Sequence, residues 1–219
     1  MVSTPSAVIR GRVLGLGIAQ AYVLIGLDAH PVRVEVTTTR GPAFFQMVGL
    51  AEAAVRESRV RVASALAGLG VLLDEYAVTV NLAPGDLRKS GAALDLAIAI
   101  GVLTALGHIE RSIDDNLQFS GELSLDGALL PVRGLLPLLE GGKRRGVVAA
   151  IVPACNGAEA GLVRGLRVHL AATLSDVMAH LSGQKSLPVA EPTRFTPEVD
   201  CGGADLSEVR GQPGARRAL

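Results

Sequence analysis

Apolar and polar positions alternate along parts of this chain and recur at helical spacing along others, and the switches mark its elements. The Ala19 to Leu27 run reads as a strand, and Asp28-Ala29-His30-Pro31 as the turn after it. Val32, Val34 and Val36 alternate with Arg33, Glu35 and Thr37, the period of a half-buried strand. Gly41-Pro42 makes the next turn. Ala43 to Val48 is short and aromatic, and is expected to pair with the preceding strand as a hairpin. From Leu50 to Leu69 the period becomes helical. Ala51, Ala54, Val55, Ser58, Val62, Ala65, Leu66 and Leu69 share one side, Glu52, Arg56, Arg59 and Ala63 the other, and Gly68 and Gly70 supply the stop.

The stretch Asn81 to Val102 organises the rest. Tyr76, Val78 and Val80 alternate into a strand that ends at Pro84-Gly85-Asp86, and a helix apolar nearly all round runs from about Ala93 to Leu106. Asp95 is its only charge, so the helix belongs in the middle of the domain. Arg88 and Lys89 put two cations on the loop between strand and helix. Such a loop either attracts anions, as helix N-termini do, or is a tight connection with solvated charges.

Further on, Leu117 to Leu125 and Ala128 to Val132 flank Asp126-Gly127, a hairpin signal in which both turn residues need positive φ. A helix follows from about Leu135 to Arg145, with Lys143, Arg144 and Arg145 complementing its C-terminal dipole. Val147 to Val152, stopped by Pro153, has the pattern of a buried strand. Asn156 with Glu159 resembles a capping box, Leu166 to Leu170 a short strand, and Thr173 with Asp176 a cap for the helix ending near Leu181. These elements give an α/β domain over residues 19–183, after an N-terminal tail of residues 1–18. Residues 184–204, with Pro188, Pro192, Pro197 and Gly202-Gly203, read as an exposed linker. Residues 205–219 begin a new amphipathic pattern that is cut off, as expected of the front part of a longer protein.

Composition narrows the chemistry. Aromatics make up 3% of the 219 residues with no Trp, so the core must be aliphatic. Positive and negative residues number 21 each, which argues against a dedicated, strongly basic nucleic-acid-binding domain but leaves local basic patches open. Arg56, Arg59 and Arg61 on the first helix, and Arg88 and Lys89 on the central loop, are candidate DNA contacts. Glu57 is also spaced for an ion pair with Arg61. Cys155 and Cys201 are far apart, and His30, His108, His169 and His180 lack ligand-like spacing, so no metal site is suggested. The N-terminus has no secretory pattern and no run suited to a bilayer, so a cytoplasmic protein is expected.

Four stretches, MVGLAEAAVRESRVRVASAL, VTVNLAPGDLRKSGAALDLAIAIGVL, FSGELSLDGALLPVRGLLPL and DLSEVRGQPGARRAL, resemble in consistent order the ComM/YifB family of magnesium-chelatase-like AAA+ ATPases. The resemblance implies an N-terminal domain like the Lon protease domain, of the ribosomal protein S5 domain 2-like fold, followed by an ATP- and Mg2+-dependent motor. It also implies a hexamer that acts on single-stranded or branched DNA, as the ComM helicases drive branch migration in natural transformation. Residues 205–219 resemble the segment just before the Walker A loop, yet no GxxxxGK[ST] is present, so no cofactor is expected on this chain itself. Lon-type peptidases use a Ser-Lys dyad. In this sequence Ala93 stands where the nucleophile would be, in Gly91-Ala92-Ala93-Leu94-Asp95, and Leu136 stands where the lysine would be. Both reacting groups are missing, and nearby Ser90 and Lys89 do not replace a dyad supplied by two elements. The leading expectation is a non-catalytic domain of a DNA motor. The alternatives are a chaperone-like subunit for magnesium insertion and a purely structural oligomerising module.

Overall fold

In this computed structural model, which describes residues 13–89, 91–110 and 113–194, two long strands form the spine. β1 (Val13–Ile25) and β2 (Asp28–Arg40) pair antiparallel along their length, with Ile25 opposite Asp28. The turn is therefore Gly26-Leu27, where Gly26 supplies φ 63°, and Asp28 to Pro31 is strand rather than turn.

The anticipated pairing of β2 with β3 (Phe44–Val48) does not occur. β3 leads into α1 (Ala53–Gly68) and the chain returns as β4 (Tyr76–Ala83), which inserts between them, parallel to β3 and antiparallel to β2. A helix between two strands favours a parallel crossover, and the short turn at Gly41-Pro42 leaves room for it. After α2 (Asp95–Ala105), the sheet grows from its other side through β5 (Leu117–Phe119), β8 (Ala149–Pro153) and β9 (Arg167–Ala171), all parallel. The order is β3-β4-β2-β1-β5-β8-β9. The fold is mixed α/β with a mostly parallel central sheet.

β6 (Glu122–Leu123) and β7 (Leu129–Leu130) form a separate small hairpin around Asp126-Gly127. Only Gly127 has positive φ, at 87°. Ser124 and Asp126 side chains accept from the Ala128 N–H and hold the turn, which removes the need for a second left-handed residue.

Two apolar cores sit on opposite faces of the sheet. One joins α1 and α2 to Val32, Val34, Val36, Val78, Val80 and Leu82. The other joins α3 (Leu135–Arg144) to Tyr22, Ala150 and Val152. Ten of the eleven α2 residues are buried, as its all-round apolar pattern requires. The approach of α2 to β1 depends on glycine. A Cβ on Gly17 would overlap the Gly101 carbonyl, and one on Gly15 the Ala105 carbonyl, so backbone lies directly on backbone.

The domain extends past both expected boundaries. β1 already begins at Val13, and beyond α5 (Leu174–Leu181) the chain returns along β9. Leu170 N–H donates to Pro188 O at 2.8 Å, and Ala190 N–H to Val168 O at 2.8 Å. Leu187 is buried. Its N–H donates to His180 Nδ1 at 3.2 Å, and the His180 ring lies 4.7 Å from that of His169. The expected AAA+ start at residues 205–219 lies outside the described residues.

Two expectations test this packing. Gly17→Ala should lower the unfolding free energy by about 1–3 kcal/mol through overpacking against rigid backbone, whereas Gly85→Ala, with nothing within 4 Å, should stay within about 0.5 kcal/mol; urea midpoints measure both. Burial, with the nearby His180 charge, pushes the His169 pKa below its ordinary 6.5. The folded state then binds fewer protons than the unfolded chain, so this contribution is complete above about pH 6.5 and lost as the pH falls. Unfolding free energy should drop between pH 7 and pH 5, and the drop should be smaller in His169→Gln.

Candidate nucleic-acid interface

The inward side of α1 is fixed by one buried carboxylate. Val55, Ser58, Val62, Ala65 and Leu66 form the buried stripe, and Asp95, the first residue of α2, reaches it. Asp95 is fully buried and collects donors from two elements, α1 and β6. Ser58 Oγ donates to Oδ1, Arg61 Nε donates to Oδ2 at 2.6 Å and Nη2 to Oδ1 at 3.1 Å, and the Leu123 N–H donates to Oδ2 at 3.1 Å. Arg61 also reaches Ala54 O, at 3.3 Å. The Asp95 hydrogen bond raises the Arg61 pKa further above its usual value. Arg61, a candidate DNA contact in the sequence, is committed elsewhere: its side chain is 19% exposed and its guanidinium neutralises Asp95 rather than pairing with Glu57. Sequence reasoning held a signal for this pair. A lone charge in an otherwise apolar, buried helix demands a partner.

Lys89 is likewise engaged within the fold. It is fully buried, and its Nζ donates to Pro84 O. Its N–H donates to Leu50 O at 3.3 Å, and its carbonyl accepts from the Glu52 N–H at 3.0 Å. These bonds pin the central loop to the β3–α1 connection, where Leu50 adopts φ 46°, a left-handed conformation uncommon without glycine. Burial pushes the Lys89 pKa down, and nearby Asp86 offsets part of that. The ammonium is held beneath its own loop.

Arg56, Arg59 and Arg88 remain exposed. Arg56 and Arg59 line a groove of about 580 Å³ between α1 and β3, whose walls include Phe44, Phe45, Gln46, Met47 and Val60. Phe44 is 54% exposed and Val60 57%. The structure therefore brings Arg56 and Arg59 together, leaves Arg88 apart on its loop, and adds Phe44, which the sequence marks only as a strand residue.

The position corresponding to the Lon dyad is also visible. Ala93 lines a pocket of about 280 Å³ with Tyr22, Gly91, Val132 and Arg133, and among the described residues no serine or lysine contributes to that lining. The Leu136 N–H donates to Glu159 Oε1 at 2.8 Å, while Asn156 Oδ1 accepts from Val132 N–H at 2.9 Å. Asn156 and Glu159 therefore brace the entry to α3 and do not form the anticipated capping box; α4 (Gly157–Ala160) has no side-chain cap. Thr173 does cap α5, accepting from Asp176 N–H at 3.1 Å. Among the described residues no three His, Cys, Asp or Glu side chains could hold a metal ion, and no helix is long and apolar enough to cross a membrane.

Removing Arg61 would leave a buried carboxylate without its cation. Arg61→Met should cost about 3 kcal/mol of stability, and Arg59→Met, equal in chemistry but exposed, less than about 0.5 kcal/mol, as read from denaturant midpoints.

Comparison with known proteins places this geometry in a family. Residues 34–156 match the family described as subunit ChlI of Mg-chelatase. The competence protein ComM of Haemophilus influenzae is 36% identical over 212 residues, covering 94% of this chain and 41% of that protein. The protein YifB of Escherichia coli is 35% identical over 210 residues, with 94% of this chain and 40% of its own length covered. Lon protease 2 of Bacillus subtilis is 25% identical over 136 residues, 56% of this chain and 24% of that protein. The chain thus spans about two fifths of the length of the ComM and YifB relatives. With a ChlI-type domain and near-complete collinearity with ComM and YifB, the chain belongs to the magnesium-chelatase-like ComM/YifB family.

Proposed function

We propose that this chain is the non-catalytic N-terminal part of a cytoplasmic, ComM-like hexameric AAA+ ATPase that, at full length, drives ATP-dependent branch migration of DNA during natural transformation or recombination. Its fold is read as ribosomal protein S5 domain 2-like, with the peptidase dyad replaced by Ala93 and Leu136. The nucleotide and Mg2+ belong to the motor segment, because this chain has no GxxxxGK[ST] loop to cradle a phosphate chain. Its own task is to contact DNA at the ring and pass motor movement on.

One observation carries the DNA contact: α1 turns Arg61 inward to Asp95 and turns Arg56 and Arg59 outward, so one helix is both anchored and presented. Arg56, Arg59 and Arg88 are the phosphate-contact residues. Lys89 and Arg61 are not, and their replacement would test folding instead.

Anisotropy titrations of the chain with labelled four-way-junction and single-stranded DNA over a salt series test this. Binding should weaken with salt, and the Arg56→Ala/Arg59→Ala/Arg88→Ala variant should bind less tightly. Its salt slope should be shallower by about 0.7–0.9 for each phosphate that the missing arginines no longer neutralise. Equal binding by the variant would remove the arginines from the reading.

A further inference from the structure

The two edges of the sheet are treated differently. At β9 the edge is closed by the chain's own Pro188 to Ala190 segment. At β3, among the described residues, the only strand neighbour is β4, and the outer edge is open. Edge strands are commonly blunted by Pro, Lys or a bulge, and Phe44-Phe45-Gln46-Met47-Val48 contains no charge and no proline. The groove runs along that edge, since four consecutive β3 residues line it although their side chains alternate between faces.

Its chemistry is specific. The chain has four Phe and no Trp, and two of those Phe are consecutive on β3, Phe44 exposed and Phe45 packed against the core. Arg56 and Arg59, one helical turn apart, line the same groove and make no ion pair among the described residues. Gln46 adds an exposed amide able to donate and accept. Glu57 lines the groove as well, so two guanidiniums against one carboxylate leave it net cationic, and an exposed aromatic face beside them matches a base stacked next to its phosphates. An extended acidic peptide would pair with the edge but has no use for a stacking face. Duplex DNA would reach the arginines but keep its bases away from Phe44.

We propose that the groove between β3 and α1 binds an unpaired nucleic-acid strand, with a base stacked on Phe44 and adjacent phosphates held by Arg56 and Arg59. This rests on the DNA-contact reading above and narrows it to single strands. The site discriminates by stacking, which any base satisfies, so it favours strand over sequence.

The test uses Phe44→Trp, because the chain has no other tryptophan and its fluorescence reports this position alone. A short oligothymidylate should quench it in a salt-dependent manner, and a duplex of equal length should not. In separate anisotropy titrations Phe44→Ala should weaken oligothymidylate binding about tenfold and leave duplex binding unchanged. If oligothymidylate binding depends on Arg56 and Arg59 but is indifferent to Phe44 by both measurements, the groove assignment is overturned while the DNA reading stands. If neither DNA binds at low salt, both are overturned. Quenching by an acidic, apolar peptide but not by oligothymidylate would make the groove a protein-docking site and overturn the proposal.

Discussion

The structure depends on a single buried carboxylate having its charge answered. Asp95 opens a helix with almost no other polar side chain, at a depth where an unpaired charge is not tolerated. Its four donors come from α1 and from the β6–β7 hairpin, so satisfying Asp95 fixes where both lie relative to α2. α2 in turn rests on the glycine track of β1, where no side chain intervenes. Local electrostatics and close packing thus set the same arrangement from opposite sides of one helix.

That arrangement divides the labour of α1. Once Arg61 is committed, the remaining arginines of the helix face away from α2, along the open edge of the sheet. The groove they form with β3 joins apolar, aromatic and cationic surface in one place, while the rest of the sheet is covered by helices or closed by the chain itself. The pocket that would house peptidase chemistry in a Lon-like protein has Ala93 in its lining where a nucleophile would stand, beside Tyr22, Glu122 and Arg133.

Much of this was legible in the sequence. The strand alternation of Val32 to Thr37, the amphipathic α1, the buried α2 and the Thr173 cap follow from period and capping chemistry, and the family motifs pointed to the correct family. Pairing was less legible: the order β3-β4-β2 depends on the α1 crossover, and a short strand after a tight turn looks like a hairpin partner in one dimension. The arginines show the limit most clearly. A helical wheel places Arg59 about 60° from Val62 at the centre of the buried stripe and Arg61 about 100° away, yet Arg61 is the one drawn inward to Asp95. Which flank of a helix is covered depends on what packs beside it, here Asp95 on one side and an open sheet edge on the other. Lys89 misled for a similar reason, since a charged loop residue looks solvated until its own loop folds over it.

Amide hydrogen exchange of the chain with and without oligothymidylate tests the central claim most directly, because it locates the ligand without altering a residue. The account predicts added protection confined to β3 and the first turns of α1, with the amides around Asp95 and Leu123 unchanged. Bound oligonucleotide with protection elsewhere, and none along β3 or α1, would contradict it.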